Sequence, residues 1–286
     1  MKVKYNMDII KRYAAGSHTP GFENRQLPFY ISFCGHYLAG GSYFTEREDM
    51  GSYLLIYTVN GSGIIKHRGK KFNIQKGQVI LFDCRQYQYY ATNPQDVWEF
   101  KWVHFNGTAC ESYFRLINND SFSLVQLGEE GQFNEVLNGL FNLIMSDDIN
   151  KDVKCSMLMT SLLTEMVINC RRLNNSRYPK HNSIINSAID FIHENYTNPI
   201  TIEDILKHVH LSRFHFVRTF KRFTGRSPYE YLNNYRINAS KALLMETNMP
   251  INEIALKVGF CHVNNFIREF KVITGLTPKK FKNSMV

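Results

Sequence analysis

Two stretches near the carboxyl end, FVRTFKRFTGRSP at residues 216–228 and FIREFKVITGLTP at residues 266–278, decide the fold. Displaced by 50 residues, they place Phe216 on Phe266, Arg218 on Arg268, Phe220 on Phe270, Lys221 on Lys271, Thr224-Gly225 on Thr274-Gly275 and Pro228 on Pro278. Upstream the offset becomes 49 and matches Ile202 with Ile251, Ile205 with Ile254, Val209 with Val258 and Leu211 with Phe260. The second copy thus holds one extra residue between its blocks, and a turn is where an insertion is tolerated. Each copy reads as a short apolar-periodic helix, a tight turn, and a second helix that stops at Thr-Gly, where glycine takes the left-handed cap. That is a helix-turn-helix, made twice.

Phenylalanines four residues apart share one helix face, so Phe216 and Phe220 point inward, as do their counterparts in the second copy. Arg213, Phe214, Val217, Arg218 and Lys221 fall on the other side, and so do Val263, Asn264, Ile267, Arg268 and Lys271. In a major groove arginine reads guanine edges, asparagine reads adenine, and an apolar side chain touches the thymine methyl. The bland alternatives are a solvated or phosphate-contacting arginine and an ordinary half-buried valine or isoleucine. Recurrence at one register favours base reading for Arg218 and Arg268. Between the copies, YEYLNNYRINASKALLME at residues 229–246 lacks glycine and proline and is expected to be one continuous helix. Such a rigid connector would present both second helices to successive major-groove faces ~34 Å apart.

Charge follows the same division. The 34 Lys and Arg against 25 Asp and Glu give +9 overall; residues 180–286 hold 15 against 8, or +7, which leaves 19 against 17, or +2, for residues 1–179. A basic segment beside a near-neutral one suits a polyanion-binding module joined to something else, because neutralising phosphates releases condensed counterions.

The remainder of the chain is of another class. From residue 28 to 107 short β-branched or aromatic runs are broken by glycine: SYLLIYTV, the turn NGSG, IIKHRGKKFNI, QKGQVILF and VWEFKWVHF. Their alternation and spacing predict an antiparallel barrel or sandwich. From residue 132 to 173 the period changes to helical, with Leu137, Leu140, Phe141 and Ile144, then Leu158, Leu162, Glu165 and Met166. The polar stretch at residues 174–183 is the expected linker. The fold class is thus a two-domain α+β chain: a β-barrel with amphipathic helices at 1–173 and an all-α tandem helix-turn-helix domain at 184–286.

The six cysteines are scattered, without zinc-ligand spacing, and read as buried thiols in a reducing compartment. No stretch approaches the ~20 apolar residues of a membrane span, and the N-terminus lacks the apolar core of a secretory signal, so a soluble, cytoplasmic protein is expected.

The span from about residue 182 to 282 resembles the DNA-binding domain of the AraC family of bacterial regulators. TIEDILKHVHLSRFHFVRTFKRFTGRSPYEY matches its first helix-turn-helix and INEIALKVGFCHVNNFIREFKVITGLTPKKF its second. The resemblance implies a sequence-specific DNA-binding regulator, usually an activator working with RNA polymerase. It carries recognition positions onto Arg213, Phe214, Val217 and Arg218, and onto His262, Val263, Asn264, Ile267 and Arg268. The β region is similar to the family's cupin-like effector domain through SFCGH, Arg47 before YLLIYTVNGSG, KGQVILF and VWEFKWVHFNG. In an arabinose-binding member, positions corresponding to Arg47, Tyr90, Phe100 and Trp102 lie in the pocket, and the resemblance implies the same here.

Strand alternation places Trp98, Phe100, Trp102 and His104 on one face of their strand. With Arg47 and Tyr90 these aromatics suit a mono- or disaccharide, since rings stack on the apolar side of a sugar while Arg and Tyr bond its hydroxyls. The alternative for Trp98, Phe100 and Trp102 is plain core filling. His36 is a further candidate, weighed against a structural role. His67 stands alone and Gln88 and Tyr89 occupy the region where a metal-binding cupin needs its later histidine, so neither a metal nor another cofactor is expected. Helices within 132–173 are expected to pair with a second copy, as in relatives, or to pack on their own barrel. Two other readings stay open: a cupin-type sugar-modifying enzyme with an accessory DNA-binding domain, and a constitutive DNA binder with no ligand.

Overall fold

In the computed structural model, which describes residues 2–118, 122–127, 130–177, 179–209 and 211–284, strands come first and helices follow. The strands are β1 (Lys2–Asn6), β2 (Ile9–Ser17), β3 (Tyr30–Ala39), β4 (Phe44–Glu48), β5 (Tyr53–His67), β6 (Lys70–Gln75), β7 (Gln78–Asp83), β8 (Gln88–Thr92), β9 (Trp98–Asn106) and β10 (Val125–Gln126). Helices α1 (Cys110–Asn118), α2 (Glu130–Ile144) and α3 (Lys151–Arg177) complete this part. The chain divides into two compact units, Met1–Asn174 and Asn175–Val286.

The long strand β5 organises the first unit. Its opening residues Tyr53–Tyr57 lie between β7 and β9, and its last residues Ser62–His67 pair with β6 and, over Gly63–Lys66, with β8. A register shift between Thr58 and Asn60 marks the bend that carries β5 from one half of the barrel to the other. Every pairing is antiparallel, as the alternating runs predict. Both faces of the opening half of β5 are buried, which is why LLIY reads as a continuous apolar run. Leu54 and Ile56 join Ile80, Phe82, Trp98 and Phe100 inside the barrel. Leu55 and Tyr57 join Val79, Val103 and Phe105 beneath the helices.

Those helices pack on their own barrel. Leu137, Leu140, Phe141, Ile144, Leu162 and Met166, whose period announces α2 and α3, all lie in the cluster that holds Leu55 and Val103. Pairing with a second copy therefore cannot rest on these residues. The opposite side of α3 leaves Val153, Met157 and Ile168 exposed. Three other features depart from the reading of the sequence. Strands β1 and β2 precede the region read as β and pair with β4 and β3. Cys261 is exposed whereas the other five thiols are buried. Helix continues through most of the expected linker, α3 running to Arg177 and α4 (Pro179–Asn195) starting two residues later, with residue 178 outside the described residues. Asn and Ser each cost a helix only about 0.5 kcal/mol, so polarity alone does not end one, and a proline fits the first helical position.

The second unit continues with α5 (Ile202–Val209), α6 (Arg213–Thr224), α7 (Pro228–Glu246), α8 (Ile251–Lys257), α9 (Val263–Thr274) and α10 (Pro278–Ser284). It has two cores. Phe216 and Phe220 of α6 pack with Ile205 and Val209 of α5, and Phe266 and Phe270 of α9 pack with Ile254 and Ala255 of α8. As predicted, α7 is one helix; Ser227 and Glu230 close a capping box at its start. It supplies Leu232 to the first core and Ile237 and Leu244 to the second. Among the described residues no helix is long and apolar enough to cross a membrane.

Candidate functional site

The twin α6 and α9 end alike. Thr224 Oγ1 donates to the Phe220 carbonyl and accepts from Arg226 N, and Thr274 repeats this with Phe270 and Leu276. Gly225 and Gly275 then turn left-handed at φ 77° and 79°, which stops both helices at the same place relative to their buried phenylalanines. The opposite faces are therefore matched. Arg213, Phe214, Arg218 and Lys221 are exposed on α6, and His262, Asn264, Arg268 and Lys271 on or just before α9. Val217, Val263 and Ile267 are only half-exposed and pack on the edges of their cores, which for Val217 and Ile267 is the bland alternative. Arg213 bonds Glu203 of α5 at 3.0 Å, and Arg268 touches Glu269 at 3.2 Å with two-thirds of its side chain open to solvent. Phe214 is 78% exposed, an apolar ring held in water at the start of α6.

The extra residue of the second copy sits in the turn between α8 and α9, where Gly259 has φ 91°. A Cβ there would lie 2.2 Å from the Tyr196 carbonyl and 2.9 Å from Arg236 Nε, so only glycine fits. Arg236, buried in α7, donates to the carbonyls of Tyr196 and Asn198 at 2.7 Å each and lies over the Phe260 ring. One side chain thereby ties the connector helix to the end of the α4 segment and to the turn of the second helix-turn-helix.

In the first unit a cavity of about 240 Å³ opens between strands. Tyr37 of β3, Thr45 and Arg47 of β4, Tyr90 of β8, and Trp102 and His104 of β9 line it, with Met7, Phe33, Tyr43 and Met50 closing the rest. Arg47 is held from two sides: Nη2 donates to Tyr90 Oη at 2.6 Å, and Nη1 to His104 Nε2 at 3.3 Å. A guanidinium only donates, so His104 Nε2 is the acceptor and its Nδ1–H donates to Ser52 Oγ at 3.0 Å. Burial, reinforced by the neighbouring Arg47 charge, pushes the His104 pKa down to about 3, and the ring is neutral. Burial likewise raises the Tyr43 and Tyr90 phenols, which remain protonated donors. The cavity offers one cation, neutral hydroxyls and aromatic walls, a set suited to binding rather than to proton transfer. Among the described residues no three His, Cys, Asp or Glu side chains cluster as metal ligands do.

Of the residues singled out from sequence, Arg47, Tyr90 and Trp102 meet in this cavity. Trp98 and Phe100 do not line it. Trp98 is fully buried, bonds Thr58 Oγ1 at 3.1 Å and stacks on Phe100 at 4.2 Å, filling the barrel core. His36 is outside it, because its neighbour Tyr37 takes the inward face of β3; its Nε2 lies 2.8 Å from Glu99 Oε1 and its ring stacks on Tyr13. The cavity also takes in His104, which alternation places on the Trp102 face, and Thr45 and Tyr43, which the sequence does not single out. Alternation with Trp102 was a signal for His104, and alternation with Arg47 was one for Thr45.

The profile described as AraC-like ligand binding domain matches residues 12–166, and one described as Helix-turn-helix domain matches residues 205–284. The chain is 25% identical over 272 residues to the Arabinose operon regulatory protein of Escherichia coli (strain K12), covering 90% of this chain and 92% of that protein. It is 26% identical over 234 residues to the Lactose operon transcription activator of Staphylococcus xylosus, covering 77% and 81%. It is 24% identical over 263 residues to the Msm operon regulatory protein of Streptococcus mutans serotype c, covering 85% and 91%.

Proposed function

Since this chain belongs to the AraC family of transcription regulators, we propose that it is a DNA-binding regulator, an activator of a sugar-utilisation or related catabolic operon, switched by a small molecule held in the barrel cavity. The observation that carries this reading is the pair of matched helices, each presenting an exposed arginine, Arg218 or Arg268, on the face opposite two buried phenylalanines. In this reading Arg213, Phe214, Arg218, His262, Asn264 and Arg268 meet base edges, Lys221 and Lys271 meet phosphates, and Val217, Val263 and Ile267 add apolar contact at the rim. Arg47, Tyr90 and Trp102 hold the effector. RNA polymerase is the partner that an activator needs, and α3 is the dimer contact. The relatives' names, which cite arabinose and lactose operons, support a saccharide-type effector.

Selection of bound duplexes from a random pool, followed by footprinting, tests it. Arg218→Ala and Arg268→Ala are each expected to weaken the selected site by about 1–3 kcal/mol and to relax one position of it, with thermal unfolding unchanged. An unaltered footprint in both variants would remove these helices from base reading.

A further inference from the structure

The barrel cavity holds one full charge and no counter-charge. Its lining includes neither Asp nor Glu. Among the described residues Arg47 bonds only neutral groups, Met50 Sδ, His104 Nε2 and Tyr90 Oη. Glu46 and Glu48 flank it in β4, but alternation turns them to the opposite face. His104 is locked neutral, so it adds no second cation. A guanidinium that faces an aromatic-walled cavity and meets only neutral partners there gains most from an anion. The fork geometry of arginine suits a carboxylate, which takes two parallel N–H donors. A volume of about 240 Å³ lies below the ~300–1,000 Å³ of pockets for drug-sized ligands, which leaves space for one sugar ring and not two.

Resting on the reading of this cavity as the effector site, we infer that the effector is an acid: a hydroxy-carboxylate the size of one monosaccharide, a sugar acid, its carboxylate on Arg47 and its ring against Trp102. The hydroxyls of Thr45 and Tyr43 face the remainder of the ring. This argues against a disaccharide held wholly inside; a neutral sugar of the same shape offers the guanidinium hydroxyl acceptors but no opposite charge.

Thermal unfolding of the full chain in matched pairs, glucuronate against glucose and galacturonate against galactose, tests it. At saturation at least one acid is expected to raise the midpoint by roughly 5 °C or more while its neutral partner does not. Arg47→Gln should weaken that acid by roughly tenfold or more. Met50→Glu, which sets a carboxylate beside the guanidinium, should abolish the response and raise the midpoint without ligand. No response to either acid overturns the inference. So does a neutral sugar that acts as strongly as its acid; if Trp102→Ala then abolishes the neutral sugar's effect, the cavity stands as the effector site and only the acid is lost. A response to acid that survives both Arg47→Gln and Met50→Glu places the ligand elsewhere and overturns both readings.

Discussion

His104 shows how one side chain couples the cavity to stability. Folded, it stays neutral down to about pH 3, because burial and Arg47 both oppose the imidazolium. Unfolded, it takes a proton near its ordinary value of 6.5, so between those values the unfolded chain binds the extra proton. Stability is therefore expected to fall as pH drops from 6.5 toward 3, by up to roughly 1.4 kcal/mol per unit from this residue. Denaturant melts of the native chain and His104→Gln across that window check it; the variant should show a shallower slope. Trp102 lies against Gly35 of the neighbouring strand, whose added Cβ would come within 2.7 Å of the indole, so the ring is fixed as a wall. Trp102→Ala is expected to abolish the effector-dependent change in DNA affinity, read by titrating a labelled duplex with and without ligand.

Among the elements, α7 carries the most consequence per residue. Arg236→Leu removes two charge-assisted bonds, leaves the Tyr196 and Asn198 carbonyls without that donor, and is expected to cost roughly 3 kcal/mol in thermal unfolding. Lysine in its place cannot span both carbonyls. This helix and the twin units around it were legible in the sequence, because phenylalanines four apart, a Thr-Gly stop and an uninterrupted run are local rules that each segment obeys by itself. The cavity was legible only in part. Trp98, Phe100 and Trp102 share one face of β9, and nothing local tells which of them meets packed core and which meets a cavity. His36 failed for a related reason: the parity of β3 depends on a register shift between Ile31 and Phe33, set by pairing with β9. The N-terminal strands β1 and β2 are not legible locally, because five- and nine-residue edges gain their order from pairing with β4 and β3 rather than from their own pattern.

At the scale of the whole molecule, the division of charge and the division of fold coincide, a near-neutral barrel followed by a basic helical unit. The exposed side of α3 carries Val153, Met157 and Ile168, which recur at helical spacing and suit a second α3. If that contact forms, Met157→Glu should shift the weight-average mass in sedimentation equilibrium from dimer toward monomer at micromolar protein, with the far-ultraviolet spectrum retained. The shared floor that α7 lends to both helix-turn-helix cores has its own effect. Losing one half would unmoor the helix that completes the other core, so the two are expected to melt as one transition in calorimetry. A destabilising substitution in either unit is then expected to lower the melting of its twin as well.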